Sequence, residues 1–415
     1  MQAIEPNPAI HLHLLIHGLQ GHPRHLAEAI HFFNHRWPAD PALVLLVPAS
    51  LTYQHTYDGI DWNAHRVLHE LDQAIHAIEK DGGRVTRFSV TSYSLGGLIA
   101  RYVVGALHAR GFFDAVDPVN FTSFTTPHAG IPPPPHTSRL LFWLGSTVLG
   151  RTGTQFHLLD SWADTGQPLL QAMAYPASPF FRGLSRFRHI NIYANAINDV
   201  TVPYFSGAFE EEDPFAGVPE HAIIPEYLPN YEPVLHDFSI AHSAPRLAAC
   251  LRSLRPLAFN GPLVAWVFPW NLILYLLLPL LLPLGILYFT FDSVRSARAS
   301  RARIRILRAA VPAPLLPAFA VPGSPEPESP TTRNASPAPP NASPAPPAPP
   351  VPPPMAPAQV AIVRALNTLR GVRKHTVFRP HVRNAHAMII CLEPRFADHR
   401  VGRGVLRHWV DNFEV

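Results

Sequence analysis

Short apolar runs alternate with helical stretches through the first 110 residues. Ile10–His17 is an apolar run that ends against a glycine, and Pro23–His35 has helical spacing. Leu43–Val47 is a continuous apolar run bounded by Pro41 and Pro48. Trp62–Glu79 reads as a helix, and Val85–Val90 leads through a short polar turn into another over Leu95–Leu107. Phe121–Thr125 and His189–Ala194 are two more strand-like runs, each followed by a polar turn. Short continuous apolar strands are those buried on both faces of a parallel sheet, and helices between them are the crossovers such a sheet needs. The pattern predicts an α/β protein with a mostly parallel sheet.

The pattern breaks at Pro256. No charged side chain occurs between Arg255 and Asp292, and the centre reads NLILYLLLPLLLPLGILYF. These 36 residues exceed the ~20 that one bilayer crossing needs and fall short of two crossings with a turn. Trp266, Trp270, Tyr275 and Tyr288 stand toward the ends, as interfacial aromatics do. Pro279, Pro283 and Gly285 offer a bend, so the segment is expected to enter and leave a lipid layer by one face as a hairpin, with a single crossing or a buried core helix as alternatives. Arg298, Arg301, Arg305 and Arg308 follow at spacings of three or four, which suits either a helix lying on an anionic surface or a solvated charge run. Residues 311–357 are rich in Pro, Ala and Ser and are expected to be a disordered tether, with possible use as a ligand for Pro-rich-motif-binding proteins. Ordered sequence returns with a helical stretch over Ala358–Leu369, a strand-like run over Met388–Leu392 and a final helix around Val401–Phe413. The expected units are a core over 1–255, a hydrophobic membrane segment with basic flank over 256–310, the linker 311–357, and a C-terminal part, 358–415, that completes the core.

Composition narrows this picture. With 47% hydrophobic residues the chain can bury a large core, and the 48 prolines are concentrated where no core is expected. A net charge of +4, with arginine gathered in the second half, fits a local basic patch and not a nucleic-acid partner. Two cysteines, Cys250 and Cys391, cannot frame a disulfide scaffold, so a reducing compartment is expected. The N-terminus has no basic start followed by an apolar core, so no secretory signal is expected there.

Candidate chemistry starts at TSYSLGG, residues 91–97, between a strand and a helix. Such a turn forces its serine, Ser94, into a strained conformation that lifts Oγ clear of the sheet, and small neighbours let strand and helix approach. Gly96 and Gly97 supply the small residues, while Ser92 stands where the pattern usually has glycine. Acyl transfer also needs donors for the developing oxyanion. The N–H of Leu95 is one candidate, and His17-Gly18 at the end of the first strand offers the N–H of Leu19 as the second. Asp199, in NAINDVTVPY, follows a strand-like run, a place that suits an acid orienting a histidine; an Asx turn is an equal reading. Among 24 histidines, those before Ser94 break the expected order, and His11, His13, His22, His25 and His35 read as surface or edge residues. They lack the Cys or carboxylate company of a metal site, so no metal or cofactor is expected. His236, His242 and His386 remain as candidate bases, and His128 reads as structural.

The ordered set IHGLQGHPRHL, TYDGID, SYSLGGLIARYVVG, FTTPHAGI and NAINDVTVPY resembles the fungal putative serine esterase family over about residues 10–235, with a further short block near 380–392. The resemblance implies an α/β-hydrolase fold, interrupted here by the hydrophobic segment and linker, and a lipase that includes lipid-droplet phospholipases among its relatives. It implies Asp199 as the acid and favours His386, in RNAHAMII, as the base, with Asn384 standing where the family has Asp and His236 as the alternative base. The expected function is a serine hydrolase of fatty-acyl esters in phospholipids or acylglycerols, acting at the cytosolic face of the endoplasmic reticulum or on a lipid droplet. A deacylase or thioesterase of lipidated proteins and a catalytically dead, membrane-anchored interaction protein are the competing readings.

Overall fold

A computed structural model describes residues 8–133, 146–162, 165–241, 270–310 and 355–415. Its strands are β1 (Ala9–Ile16), β2 (Leu43–Leu46), β3 (Arg84–Tyr93), β4 (Asp117–Phe124), β5 (His189–Asn195), β6 (Ile223–Tyr227), β7 (Leu235–Ile240) and β8 (Val372–Val377). Six of them form one sheet in the order β2-β1-β3-β4-β5-β8, and every neighbouring pair is parallel. β6 and β7 pair as a separate antiparallel ribbon. This is the sheet of an α/β-hydrolase fold.

Helices cover both faces, as a parallel sheet requires. On one side α2 (Ile60–Lys80) and α3 (Leu95–Ala109) bury Ile60, Val67, Leu68, Leu71, Leu98, Ile99 and Val103 against Leu12, Leu14, Val90 and Phe121. On the other, α1 (Ala27–Arg36) and the helix Arg403–Asp411 close over Leu15, Phe124 and Tyr193 with Phe33, Trp409 and Phe413. The C-terminal block therefore supplies both an edge strand and part of a core layer.

That second layer, and the place of β1 inside the sheet, correct the reading of two early histidines as surface or edge residues. His11 and His13, two apart on β1, share the face under α1 and are buried. Their Nε2 atoms meet Ser89 Oγ at 2.8 Å and Thr91 Oγ1 at 2.9 Å on β3. Burial lowers His11 to about 4 and His13 well below its ordinary value, so both are neutral, aromatic-like core residues; Phe33 and Phe413 each lie 4.7 Å from the His13 ring. No cluster of His, Cys, Asp or Glu able to hold a metal occurs among the described residues.

The run Met388–Leu392 is not a strand. It forms the end of a short helix, Ala385–Met388, and the turn after it, with Met388, Ile389, Ile390 and Cys391 all buried. An apolar run in which four successive residues are buried has no periodicity to separate helix from strand. The sixth strand is β8, VRKHTV, whose exposed charges fit an edge position and hide it in the sequence.

The hairpin is also corrected. One helix runs from Trp270 to Ala310, straight through Pro279 and Pro283. Each internal proline removes one hydrogen bond and can kink a helix without ending it when both flanking turns remain bonded. The first expected arm, 256–269, lies outside the described residues, as do the linker residues 311–354 and His242. Among the described residues, no helix is long and apolar enough to cross a membrane. The long helix is divided by character: its C-terminal half carries arginines and packs on protein. Ser296, Ala297, Ser300 and Ile304 are buried there, a stripe at helical spacing whose small side chains permit close approach. They pack against the turn Tyr53–Asp58 and the helix Gly150–Phe156. From Leu276 to Phe291, every described side chain is exposed.

Candidate active site

In the central strands, register brings the C-terminal ends level: Ile16 pairs with Ser92, Tyr93 with Phe124, Phe124 with Tyr193, and Asn195 with Val377. In parallel α/β sheets, ligands sit among the loops beyond these ends.

Ser94 links β3 directly to α3 with φ 55° and ψ −125°, a left-handed conformation that costs of order 1–3 kcal/mol for a non-glycine residue. Hydrogen bonds on both sides hold it. The Ser94 N–H donates to Phe124 O (2.9 Å), while its carbonyl accepts from Gly97 N (3.0 Å) and Thr126 Oγ1 (2.9 Å). Gly96 is required by contact: a Cβ there would stand 2.3 Å from Ile16 O and 2.7 Å from His17 O. Ser92, the departure from glycine, donates its buried Oγ to Thr122 O at 2.9 Å, so the hydroxyl fits without strain between β3 and β4.

Asp199 follows β5 and is buried, with its side chain 2% exposed. Oδ1 accepts from the N–H groups of Thr201 (3.0 Å) and Val202 (2.8 Å), and Oδ2 accepts from Thr125 Oγ1 (2.5 Å) and Asn195 Nδ2 (2.9 Å). Burial alone would raise this carboxyl. The His386 imidazole, through charge and hydrogen bond, together with Thr125 and the Val202 N–H, outweighs burial and holds it below the ordinary carboxylate value. The loop is thus both the Asx-type turn that Asn-Asp suggested and a socket for an ionised acid.

His386 comes from the other end of the chain on the helix Ala385–Met388. Asn384 caps that helix, accepting from Ala387 N at 3.2 Å; an amide does here what an Asp would do. Ala385 N donates to Asn198 O (3.1 Å), joining the histidine loop to the acid loop. His386 Nδ1 lies 3.0 Å from Asp199 Oδ2, and Nε2 lies 3.1 Å from Ser94 Oγ. An ionised carboxylate only accepts, so Nδ1 carries the hydrogen and Nε2 turns its lone pair to the serine. Tyr93 seats the histidine: its O–H donates to His386 O (3.0 Å), and the two rings lie 5.1 Å apart.

The turn after β1 closes with Gly21 N donating to Gly18 O (3.1 Å) and Gln20 N to Thr56 Oγ1 (2.9 Å). It is pressed on the serine, for a Cβ on Gly18 would stand 2.8 Å from Ser94 Cβ. Leu19 is in that turn and Leu95 is the first residue of α3, where N–H groups lack partners within the helix. His236 is exposed on β7 and has no hydrogen bond to Ser94 or Asp199. His128 is buried, with Nε2 2.9 Å from Ser123 Oγ. Ser94, Asp199 and His386 therefore converge, and His236 stands apart. Tyr93, Thr125 and Asn195 escaped the sequence reading; the available signal was a polar residue at the C-terminal end of each of three adjacent strands.

Residues 6–211 match the family described as "Putative serine esterase (DUF676)". The chain is 32% identical over 162 residues, 38% of its length, to "Putative lipase C4A8.10" of Schizosaccharomyces pombe, covering 20% of that protein. It is 26% identical over 215 residues, 50% of its length, to "Putative lipase ROG1" of Saccharomyces cerevisiae, covering 30% of it. The matches thus span a fifth to under a third of these relatives. A crystal structure of a putative cell surface hydrolase from Lactobacillus plantarum WCFS1 aligns with 48% of this chain and 75% of its own at 14% identity, with a TM-score of 0.26. The serine turn, the Asp199 loop and TTPHAG all lie inside the stretch, residues 6–211, that matches the putative serine esterase family.

Proposed function

We propose that the protein is a serine lipase that hydrolyses fatty-acyl esters of lipids, with Ser94 as nucleophile, His386 as general base and acid, and Asp199 as the group that orients and stabilises the imidazole. The observation that carries this reading is the continuous line from Ser94 Oγ to His386 Nε2 (3.1 Å) and from Nδ1 to Asp199 Oδ2 (3.0 Å). Oγ adds to the ester carbonyl while Nε2 takes its proton, and the carbonyl oxygen becomes an oxyanion facing the N–H groups of Leu95 and Leu19. The imidazolium, paired with the Asp199 carboxylate, returns the proton to the departing alcohol and leaves an acyl-serine. Water loses a proton to Nε2, attacks the acyl carbon and releases the fatty acid and the free hydroxyl. The reaction requires no cofactor.

A lipid surface is the proposed place of work, at the cytosolic face of the reticulum or on a droplet. Exposed Leu276, Leu280, Leu284, Leu287, Tyr288 and Phe291 form an apolar surface, and exposed Arg295, Arg298, Arg301 and Arg305 follow on the same helix. Aromatic and aliphatic groups beside arginines suit burial in an acyl boundary with cations at the anionic headgroups. The Ser92 and Asn384 departures, the grounds for a dead fold, both have satisfied structural roles.

A fluorophosphonate probe tests the site. The full chain is expected to label, Ser94→Ala not to label, and His386→Ala to label at a rate lower by about 10³-fold or more. His236→Ala should label like the parent. Equal labelling of the parent and the Ser94→Ala chain would remove the proposal.

A further inference from the structure

A cavity of ≈ 460 Å³ lies between the helix Gly150–Phe156 and the arginine-bearing half of the long helix, away from Ser94, Asp199 and His386. Arg151 and Thr154 form one wall; Ala297, Arg301, Ile304 and Arg305 form the other. The charges in it are not equivalent. Arg151 is neutralised by Asp61, with nitrogens at 2.7 and 3.1 Å from the carboxylate. Arg303 turns away to the buried Asp58, at 2.7 and 3.1 Å. Arg301 and Arg305, one helical turn apart, have no carboxylate within ion-pair distance among the described residues, so the cavity carries two uncompensated guanidinium groups beside an apolar patch from Ala297 and Ile304.

The wall is fixed before any ligand arrives. Arg303 grips Asp58 from the long helix while Arg66 holds the same carboxylate at 2.5 Å from α2. Ser300 Oγ donates to Tyr57 O at 3.4 Å, and Ser296, Ala297, Ser300 and Ile304 are buried in the contact. Paired guanidinium groups on a fixed wall favour a phosphate, which accepts several charge-assisted hydrogen bonds at once. Ten residues separate Arg301 from Phe291, the nearer end of the exposed apolar stretch, a distance of about 15 Å along a helix.

We propose that this cavity binds the phosphate of a lipid headgroup, with the acyl chains running along the exposed apolar half of the same helix. The site would hold an anionic phospholipid as an anchor, separately from the lipid cleaved at Ser94. This rests on the lipid-surface reading above, and the test separates the two. Full-length chain carrying Ser94→Ala, which cannot turn its lipid over, is titrated with galactolipid vesicles doped either with phosphatidate or, at equal surface charge, with a succinylated diacylglycerol that has no phosphate. The expected result is about ten-fold tighter binding to the phosphatidate vesicles. Arg301→Gln with Arg305→Gln, both exposed positions, should abolish that ratio, whereas Arg298→Gln, outside the cavity, should weaken both bindings and keep it. Equal binding to the two vesicles, or a ratio that survives the double change, overturns the proposal. If inorganic phosphate alone binds as tightly as the phosphatidate vesicles, the occupant is a free phosphate and the lipid assignment falls. Hydrolysis of a soluble short-chain ester by the chain with Ser94 intact is measured apart; its absence would sink the lipase reading while the vesicle comparison stands.

Discussion

A hydroxyl becomes a nucleophile only when its surroundings aim it, and around Ser94, the proposed nucleophile, most of that aiming comes from side chains outside the Ser94–His386–Asp199 line. Tyr93 precedes the serine on β3 and ties its phenol to the carbonyl of His386 at 3.0 Å, so one strand end positions both the proposed nucleophile and the proposed base. Tyr93→Phe removes that donor and leaves the ring contact. It should lower kcat for a short-chain ester about five- to ten-fold with KM little changed, the size of one hydrogen bond's net worth; an equal fall with KM raised instead would mean that Tyr93 shapes binding. Asp199 illustrates the same dependence. Thr125, Asn195 and two N–H groups satisfy its oxygens, which keeps the carboxylate ionised though almost wholly buried. Ser94 was legible because it stands in a local motif whose geometry the neighbouring residues dictate, and Asp199 through the family resemblance, its own loop reading equally as an Asx turn. Thr125 and Asn195 were not, since their roles arise from lying on adjacent strands.

At the scale of elements, the long helix departs furthest from the sequence reading. Prolines in an apolar run suggested a bend, yet the helix continues, and the part that carries information is its arginine half. Arg303 reaches a carboxylate with no solvent exposure, and the turn it grips, Tyr53–Asp58, also holds the turn bearing Leu19 through Thr56 and Gln20. Arg303→Gln leaves Asp58 with Arg66 alone. Removing one member of a buried charged network costs about 1–3 kcal/mol, so the helix should loosen from the core. Faster proteolysis within 292–310 and faster amide exchange at 53–58 are expected; unchanged exchange there would show that the apolar contacts suffice. The strand-like Met388–Leu392 teaches a related point, because burial from all sides erases the alternation that marks a strand, while β8, half exposed and charged, is a strand with little apolar signal.

Across the whole molecule, the C-terminal block is held to the sheet partly through uncharged histidines. His375 on β8 stacks on Tyr193 at 4.5 Å and lies 4.7 Å from His408, whose Nδ1 meets Tyr193 Oη at 2.7 Å. Burial, then His408 and Arg373, pushes His375 down from 6.5 to about 3. Between these values the unfolded chain binds the proton and the folded chain does not, so stability is full above the upper value and declines as pH falls below it. His11 and His13 act in the same direction. The urea midpoint should therefore drop steadily from pH 7 to pH 5, and His375→Gln should flatten the slope; an unaltered slope would remove His375 from the account. The block being held matters because it carries the proposed base, 292 residues away from the serine. The sequence by itself determined the parallel α/β class and the strained serine turn, for these depend on period, glycine spacing and neighbours a few residues apart. Only the tertiary structure decided that His386 and not His236 meets Ser94, that β8 closes the sheet, and that the arginine helix docks on Asp58. Those outcomes turn on which distant surfaces can bury each other and satisfy each other's polar groups, a property of pairs of segments that no single stretch of chain contains.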